Sequence, residues 1–465
     1  MLATAKAKGE RLNLGHDRLS NAGVGIERLL NPPDEHRRIR PTAPAIRLDA
    51  TGAFCLCRGI KFLTLLTPIV DLAGVFERAV FCADAEVGAG VFCGLDLSRG
   101  ELSMARTQGE AYKVIAATRP QGDYRGAVVG CGRMGSTIDD EHIHMAHYPW
   151  PWAHAPAMIE ARGIELVGAA DVDRSKLDDF GQRWGVEALY EDYRELVVKE
   201  RPEVVAVTTR PEERAEVVVG LAEAGVKAIY ATKPMCRTLA QADAMIEACK
   251  KHGTILSMAC HLNWYSWYTN ALKAIDDGAI GPLRSMVCHC PHSLSNIGSH
   301  LLALFRLFAG APAEWMMGEM DSDEKSLEDG DLSGSGYIAY ANGVRGFLNS
   351  RADRSGHGWT MEFIGEQGRV VTRNAHAQFE LWGSHPQTGE PIQRQFPNPW
   401  HPRSSMVDAI EGVCRSIEAG EEKVCPGEFG CETLEIVIAL RESHRRGNVR
   451  VDLPLEDRGL RMGRG

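Results

Sequence analysis

The 465-residue chain is 44% hydrophobic and 25% charged, a globular balance that excludes wholesale disorder and leaves room for about two to three domains. A formal net charge of −10 excludes a surface built to neutralise nucleic-acid phosphates or to bind a membrane, and favours a small-molecule partner. The 13 cysteines follow no repeated spacing and no secretory signal pattern is seen, so reduced thiols and a cytoplasmic location are expected.

Residues 1–122 mix Arg, Pro, Gly and Cys without helical or strand periodicity and read as an extension of uncertain order. An upstream translation start is the preferred explanation, with Met104 as a nearer start. A regulatory or interaction extension is the rival, and Cys55, Cys57, Phe62, Leu63 and Leu65 could pack locally. The most apolar run, Phe62 to Val80, is broken by Asp71, Glu77 and Arg78 and predicts no membrane span.

From Tyr124 strand-like runs alternate with helical ones, the pattern of a parallel sheet with crossover helices over residues 123–261. The predicted strands are Ala127 to Val129, Glu165 to Ala170, Val204 to Thr208, Ala228 to Ala231 and Thr254 to Ala259. Helices are expected over Glu212 to Ala224 and Leu239 to Lys251, stopped by Gly225 and Gly253. Residues 262–465 read as a second α/β domain: a helix from Tyr265 to Asp277, a turn at Gly281 and Pro282, β segments to about Phe396, and a late helix through Leu434 to Ser443.

Gly130-Cys131-Gly132-Arg133-Met134-Gly135 follows the first strand of that alternation. There the first glycine permits a tight turn, the second lets backbone approach a pyrophosphate, and the third allows close helix–strand packing. The following helix start offers unpaired N–H groups to phosphate. Asp171 ends the next strand, where a carboxylate can accept from a ribose and repel a 2′-phosphate, so NAD is favoured. Asp173 is a competing acid, and Arg174, able to pair with a 2′-phosphate, keeps NADP open. The interval from Gly135 to Asp171 exceeds the usual ~20 residues and implies an insertion within Ser136 to His154.

These residues resemble the glucose-fructose oxidoreductase, inositol dehydrogenase and rhizopine-catabolism (Gfo/Idh/MocA) family over residues 124–455. The family order continues through Glu191-Asp192-Tyr193, Thr208 and Pro211, Ala224-Gly225-Val226-Lys227, Thr232-Lys233-Pro234-Met235, and the run from Ile275 to Arg284. The resemblance implies a Rossmann domain followed by a domain with an open, mainly antiparallel sheet that mediates dimer or tetramer formation. It further implies hydride transfer between NAD and a secondary alcohol of a sugar, inositol or related polyol. By position it places Arg133, Met134, Thr208, Lys233 and Pro234 with the glycines at the cofactor, and Lys233 and His300 at the substrate. Lys233 would hold the hydroxyl and His300 take its proton.

Two signature carboxylates are replaced here, by Thr232 and by Asn296. An amide at Asn296 can orient His300 or a hydroxyl but cannot raise the histidine's pKa as a carboxylate would. Two alternatives therefore stand: transient use of tightly held NAD for sugar elimination or hydrolysis, and a nucleotide-sensing protein that has lost catalysis.

Trp264, Tyr265, Trp267 and Tyr268 are candidate ring-stacking residues, with packing between domains as the alternative. The insertion is expected to border the substrate entrance with His147, Tyr148, Trp150, Trp152 and His154 as contacts, stiffened by Pro149 and Pro151. His142, His144, His147 and His154 match no metal-ligand spacing, and Cys288 and Cys290 read as neighbours on one buried strand face, so no metal site is assigned.

Overall fold

A computed structural model describes residues 80–83, 90–96, 101–105, 123–142, 149–327, 332–350, 358–375, 377–399 and 403–462. These all fall in one compact unit, Lys61–Gly465. Strands β1 (Val80–Ala83), β2 (Gly90–Asp96) and β3 (Glu101–Ala105) form an antiparallel sheet inside the segment where no periodicity is read. The runs are too short, and too mixed with Gly and Cys, for alternation to stand out. Met104 lies in β3, paired with Cys93.

The six-stranded sheet is built from β4 (Tyr124–Val129), β5 (Ile164–Ala170), β6 (Leu189–Tyr190), β7 (Val204–Val207), β8 (Ala228–Thr232) and β9 (Ile255–Ala259). All pairs are parallel and the order is β6-β5-β4-β7-β8-β9. The order reverses between β4 and β7, which opens a crevice at their carboxyl ends. The connecting helices are α1 (Ile138–Glu141), α2 (His154–Glu160), α3 (Arg174–Trp184), α4 (Tyr193–Glu200), α5 (Pro211–Glu223) and α6 (Leu239–His252). Their starts are set locally. Asp173 caps α3, Asp192 caps α4, and Thr238 with Gln241 forms a capping box on α6.

Beyond α7 (Ser266–Asp276) comes the second sheet, with β10 (Leu283–Cys290) followed by α8 (Ser299–Ala309), β11 (Ala313–Met320) and α9 (Asp323–Leu327). Strands β12 (Gly334–Tyr340), β13 (Arg345–Ser350), β14 (Thr360–Gly365), β15 (Gly368–Arg373), β16 (Gln378–Ser384) and β17 (Pro391–Arg394) continue it. Helices α10 (Ser405–Ala419) and α11 (Gly427–Arg445) precede β18 (Val451–Asp452). The sheet has nine strands and only β10 and β13 pair in parallel. Helix α11 packs on β11 and β12 from one side. On the other, Met317 and Phe347 are exposed beside the aromatic run Trp315–Tyr337–Phe347.

Helix α10 follows β17 of the second sheet in sequence but returns to the first sheet. Met406, Val407, Ala409, Ile410 and Val413 share a buried cluster with Val128, Ala206 and Tyr230 of the Rossmann sheet. Trp264 belongs to that cluster too: it is buried, and a Cβ added at Gly412 would stand 2.0 Å from its ring. This corrects the reading of Trp264 as a ring-stacking residue of the pocket, because its indole fills the space under α10. Its neighbours also pack: Trp267 stacks on Phe379 and Phe396, while Tyr268 accepts a 3.2 Å bond from Trp359 Nε1. Among the described residues no helix is long and apolar enough to cross a membrane.

Candidate active site

The crevice between β4 and β7 carries the glycine motif. Gly130 has φ +101°, and a Cβ there would lie 2.7 Å from Thr208 Oγ1, so the turn admits only glycine. A Cβ at Gly135 would lie 2.1 Å from Gly130 O, whereas one at Gly132 would meet nothing within 4 Å. The middle glycine thus leaves open space above the loop, which fits the approach of a dinucleotide pyrophosphate. Thr208 at the end of β7 donates its hydroxyl to Gly130 O and ties the two strand ends together.

Asp171 closes the other side of the loop. Its carboxylate accepts from Cys131 N at 2.7 Å and from Asp173 N at 2.9 Å. Asp173 itself caps α3 and pairs with Lys176. Arg174 pairs with Asp178 at 2.8 Å, and the Arg133 side chain is held by Glu141 at 2.5 and 2.7 Å. Met134 lies in the single turn Arg133–Thr137 that starts the loop's helix.

Lys233 follows β8, and its Nζ donates to Asn296 O at 3.0 Å and to Asn296 Oδ1 at 3.1 Å. Asn296 sits in the turn Leu294–Gly298 that precedes α8, and Ser299 Oγ bonds its carbonyl at 2.7 Å. The amide therefore orients Lys233, where the sequence pattern suggested His300 or a hydroxyl. His300 lies in the first turn of α8, buried, with no partner at Nδ1 among the described residues. Burial, the Lys233 charge and His261 hold its imidazole well below the ordinary histidine range.

Three further groups escape the sequence reading. His261, two residues beyond β9, meets His300 edge-on with ring centroids 4.9 Å apart, and its Nδ1 lies 2.8 Å from Ser405 Oγ. Burial, then Lys233, pulls it down to about 4. Its position at a strand's carboxyl end is the signal that could have found it. Ser404 Oγ, next to Ser405, donates to Pro151 O and joins the insertion to this wall. Arg214 is buried on the inner face of α5, at helical spacing from Val218 and Leu221, and a basic residue in an apolar stripe is itself a visible anomaly.

In the insertion, Trp150 and Trp152 are half-buried and stacked with centroids 5.1 Å apart. Asp139 Oδ1 accepts from Trp152 N and Ala153 N at 2.8 and 3.1 Å. His154 departs from its expected place at an entrance: as the first residue of α2 it is fully buried against Tyr230. His144, His147 and Tyr148 lie outside the described residues. Among the described residues no three His, Cys, Asp or Glu side chains gather as metal ligands. Cys288 and Cys290 share a buried face of β10, and burial pushes the Cys290 thiol up to about 11.

Sheet order, glycine loop and Asp171 together define a dinucleotide-binding Rossmann protein with an appended α/β domain. Residues 124–260 match the GFO_IDH_MocA model, an oxidoreductase family with an NAD-binding Rossmann fold. Myo-inositol 2-dehydrogenase of Thermotoga maritima is 23% identical over 335 residues, covering 68% of this chain and 95% of that enzyme. Over residues 124–260 the chain is similar to this family, and the matched region is the family's NAD-binding Rossmann domain. D-apiose dehydrogenase of Paraburkholderia graminis is 32% identical over 173 residues, 37% of this chain and 42% of its own length, so the chain matches less than half of that relative. The inositol dehydrogenase homologue of Azotobacter vinelandii, solved with NADH and myo-inositol, superposes with a TM-score of 0.57 at 21% identity, covering 71% and 98% of the two chains. That likeness is one of fold.

Proposed function

We propose that the protein is an NAD-dependent dehydrogenase acting on a secondary alcohol of a sugar, inositol or related polyol. The observation that carries this reading is Lys233 at the end of β8, fixed by Asn296 and close enough for its charge to act on the buried imidazole of His300. NAD, when bound, supplies the acceptor for the hydride leaving the carbinol carbon. Gly130, Gly132 and Gly135, with Arg133 and Met134 in the same loop, form its cradle, and Asp171 receives its ribose. Thr208 and Pro234 flank it at the ends of β7 and β8. The Lys233 ammonium binds the substrate hydroxyl and stabilises the charge developing on its oxygen. His300, kept neutral by its surroundings, takes the hydroxyl proton. Trp150 and Trp152 form one wall of the substrate site. Purified protein mixed with NAD and a polyol panel should generate NADH on at least one member. Demonstrated NAD binding with no NADH from any polyol would overturn this assignment, and product without net NADH would favour transient use of the cofactor.

The exposed aromatic side of the nine-stranded sheet is the self-association surface in this reading, since Met317 and Phe347 stand in solvent there. Light scattering should show a dimer or tetramer, and a monomer at working concentration would remove that role.

A further inference from the structure

The carbonyls on either side of Lys233 are both held by one side chain. Arg214, in the first turn of α5, is 2% exposed; its Nη1 donates to Thr232 O at 2.7 Å and also to Pro234 O, while Nη2 donates to Thr209 O. The residues before and after the lysine are thereby tied to the segment leaving β7, whose Thr208 in turn holds Gly130 O. Burial pulls the guanidinium down to about 10, which leaves it charged at neutral pH. The neighbouring Glu212 is engaged with Arg237. A buried guanidinium needs hydrogen-bond partners, and here it finds them in backbone carbonyls at the ends of two strands that carry the site.

We propose that Arg214 is a positioning residue: its fork fixes Lys233 relative to the glycine crevice, so that the ammonium meets the substrate hydroxyl in register with the cofactor site. This rests on the dehydrogenase reading of Lys233. A lysine in place of Arg214 offers a point charge and cannot span three carbonyls in a fixed plane. Misplacement on the order of 1 Å is enough to cost about a hundredfold in rate.

The test is a double-mutant cycle on the full chain with an active polyol, measuring kcat, KM, NAD dissociation constant and melting temperature. Arg214→Lys should lower kcat about ten- to a hundredfold with KM little changed. In a Lys233→Ala background it should produce no further loss in the residual kcat, because the group it positions is gone. Equal losses in both backgrounds, or full kcat in folded Arg214→Lys, would overturn the proposal alone. Full kcat in Lys233→Ala would overturn the role of Lys233 and the proposal with it. If Arg214→Lys does not fold, Arg214→Gln, which keeps two donors, takes its place in the same cycle.

Discussion

The cofactor side and the proposed substrate side of the crevice are made by different means. Around Gly130, Asp171 and Thr208, contacts run between backbone and short side chains at the ends of adjacent parallel strands. Around Lys233 and His300, side chains arrive from β8, β9, the turn before α8 and the start of α10. His261 and Ser405, which touch, are 144 residues apart, and Pro151 and Ser404 are 253 apart. A strand-end motif has its geometry written locally. A wall gathered from four segments depends on the whole fold being in place, so the two sides should fail in different ways.

The sharpest division is expected from His300→Ala. Loss of a general base costs about 100- to 10,000-fold in kcat, while NAD affinity, held at the other side, should be unchanged. A parallel loss of NAD binding would show that the two sides are one unit. In the native protein the acid limb of kcat/KM should lie well below the usual histidine value, because burial and the Lys233 charge favour neutral His300. Replacing Lys233 with Met should move that limb upward.

Acid should weaken the fold through its buried histidines. His154 is pulled down to about 3 and His261 to about 4, from 6.5, chiefly by burial, and His300 is also lowered. Below pH 6.5 the unfolded chain binds protons that the fold refuses, so stability is complete above that pH and drains as pH falls toward the folded values. Asp139 opposes this. Burial raises it from 3.8 to about 6, so the fold binds its proton first and gains stability as pH falls through 6. Each histidine that stays neutral in the fold costs about 1 kcal/mol between pH 7 and 5.5, and three outweigh one carboxyl. Urea midpoints at the two pH values should therefore fall on acidification, and an unchanged midpoint in that window would count against neutral buried imidazoles.

On the cofactor side, Gly135→Ala should weaken NAD binding by about 1–3 kcal/mol, because the new Cβ meets Gly130 O at 2.1 Å and must push the loop aside. Isothermal titration reads this directly. An unchanged affinity would mean that the loop yields without cost and that the motif's spacing is not what holds the cofactor.

The same division explains what was legible in the residues. Gly130, Gly135 and Asp171 announce themselves because turn, strand end and carboxylate lie within one βαβ unit. The departures at Thr232 and Asn296 are also visible, but what surrounds them is not: Arg214 clamps Thr232 O from a helix, and Asn296 turns to Lys233. Trp264 looks like a pocket residue until α10 comes back across it. The apolar face of α10, Met406 to Val413, has no local partner to reveal where it packs. Periodicity tells which face of a helix is buried and says nothing of the sheet that buries it.

The smallest effect tests whether the insertion belongs to the substrate wall. Its base is pinned by Asp139 to Trp152 N and Ala153 N, and by Ser404 to Pro151 O. Ser405 touches His261, whose ring meets that of His300 edge-on, so the paired indoles of Trp150 and Trp152 are tied to the two histidines and not to Asp171. Stacked, half-buried aromatic faces suit the C–H face of a sugar or inositol ring, a contact worth about 1 kcal/mol. Trp150→Ala with Trp152→Ala should therefore raise KM for the polyol about fivefold, with kcat and the NAD dissociation constant little changed. If KM stays put, the indoles only pack the loop. If NAD affinity falls instead, the insertion serves the cofactor side and the division drawn above is misplaced there.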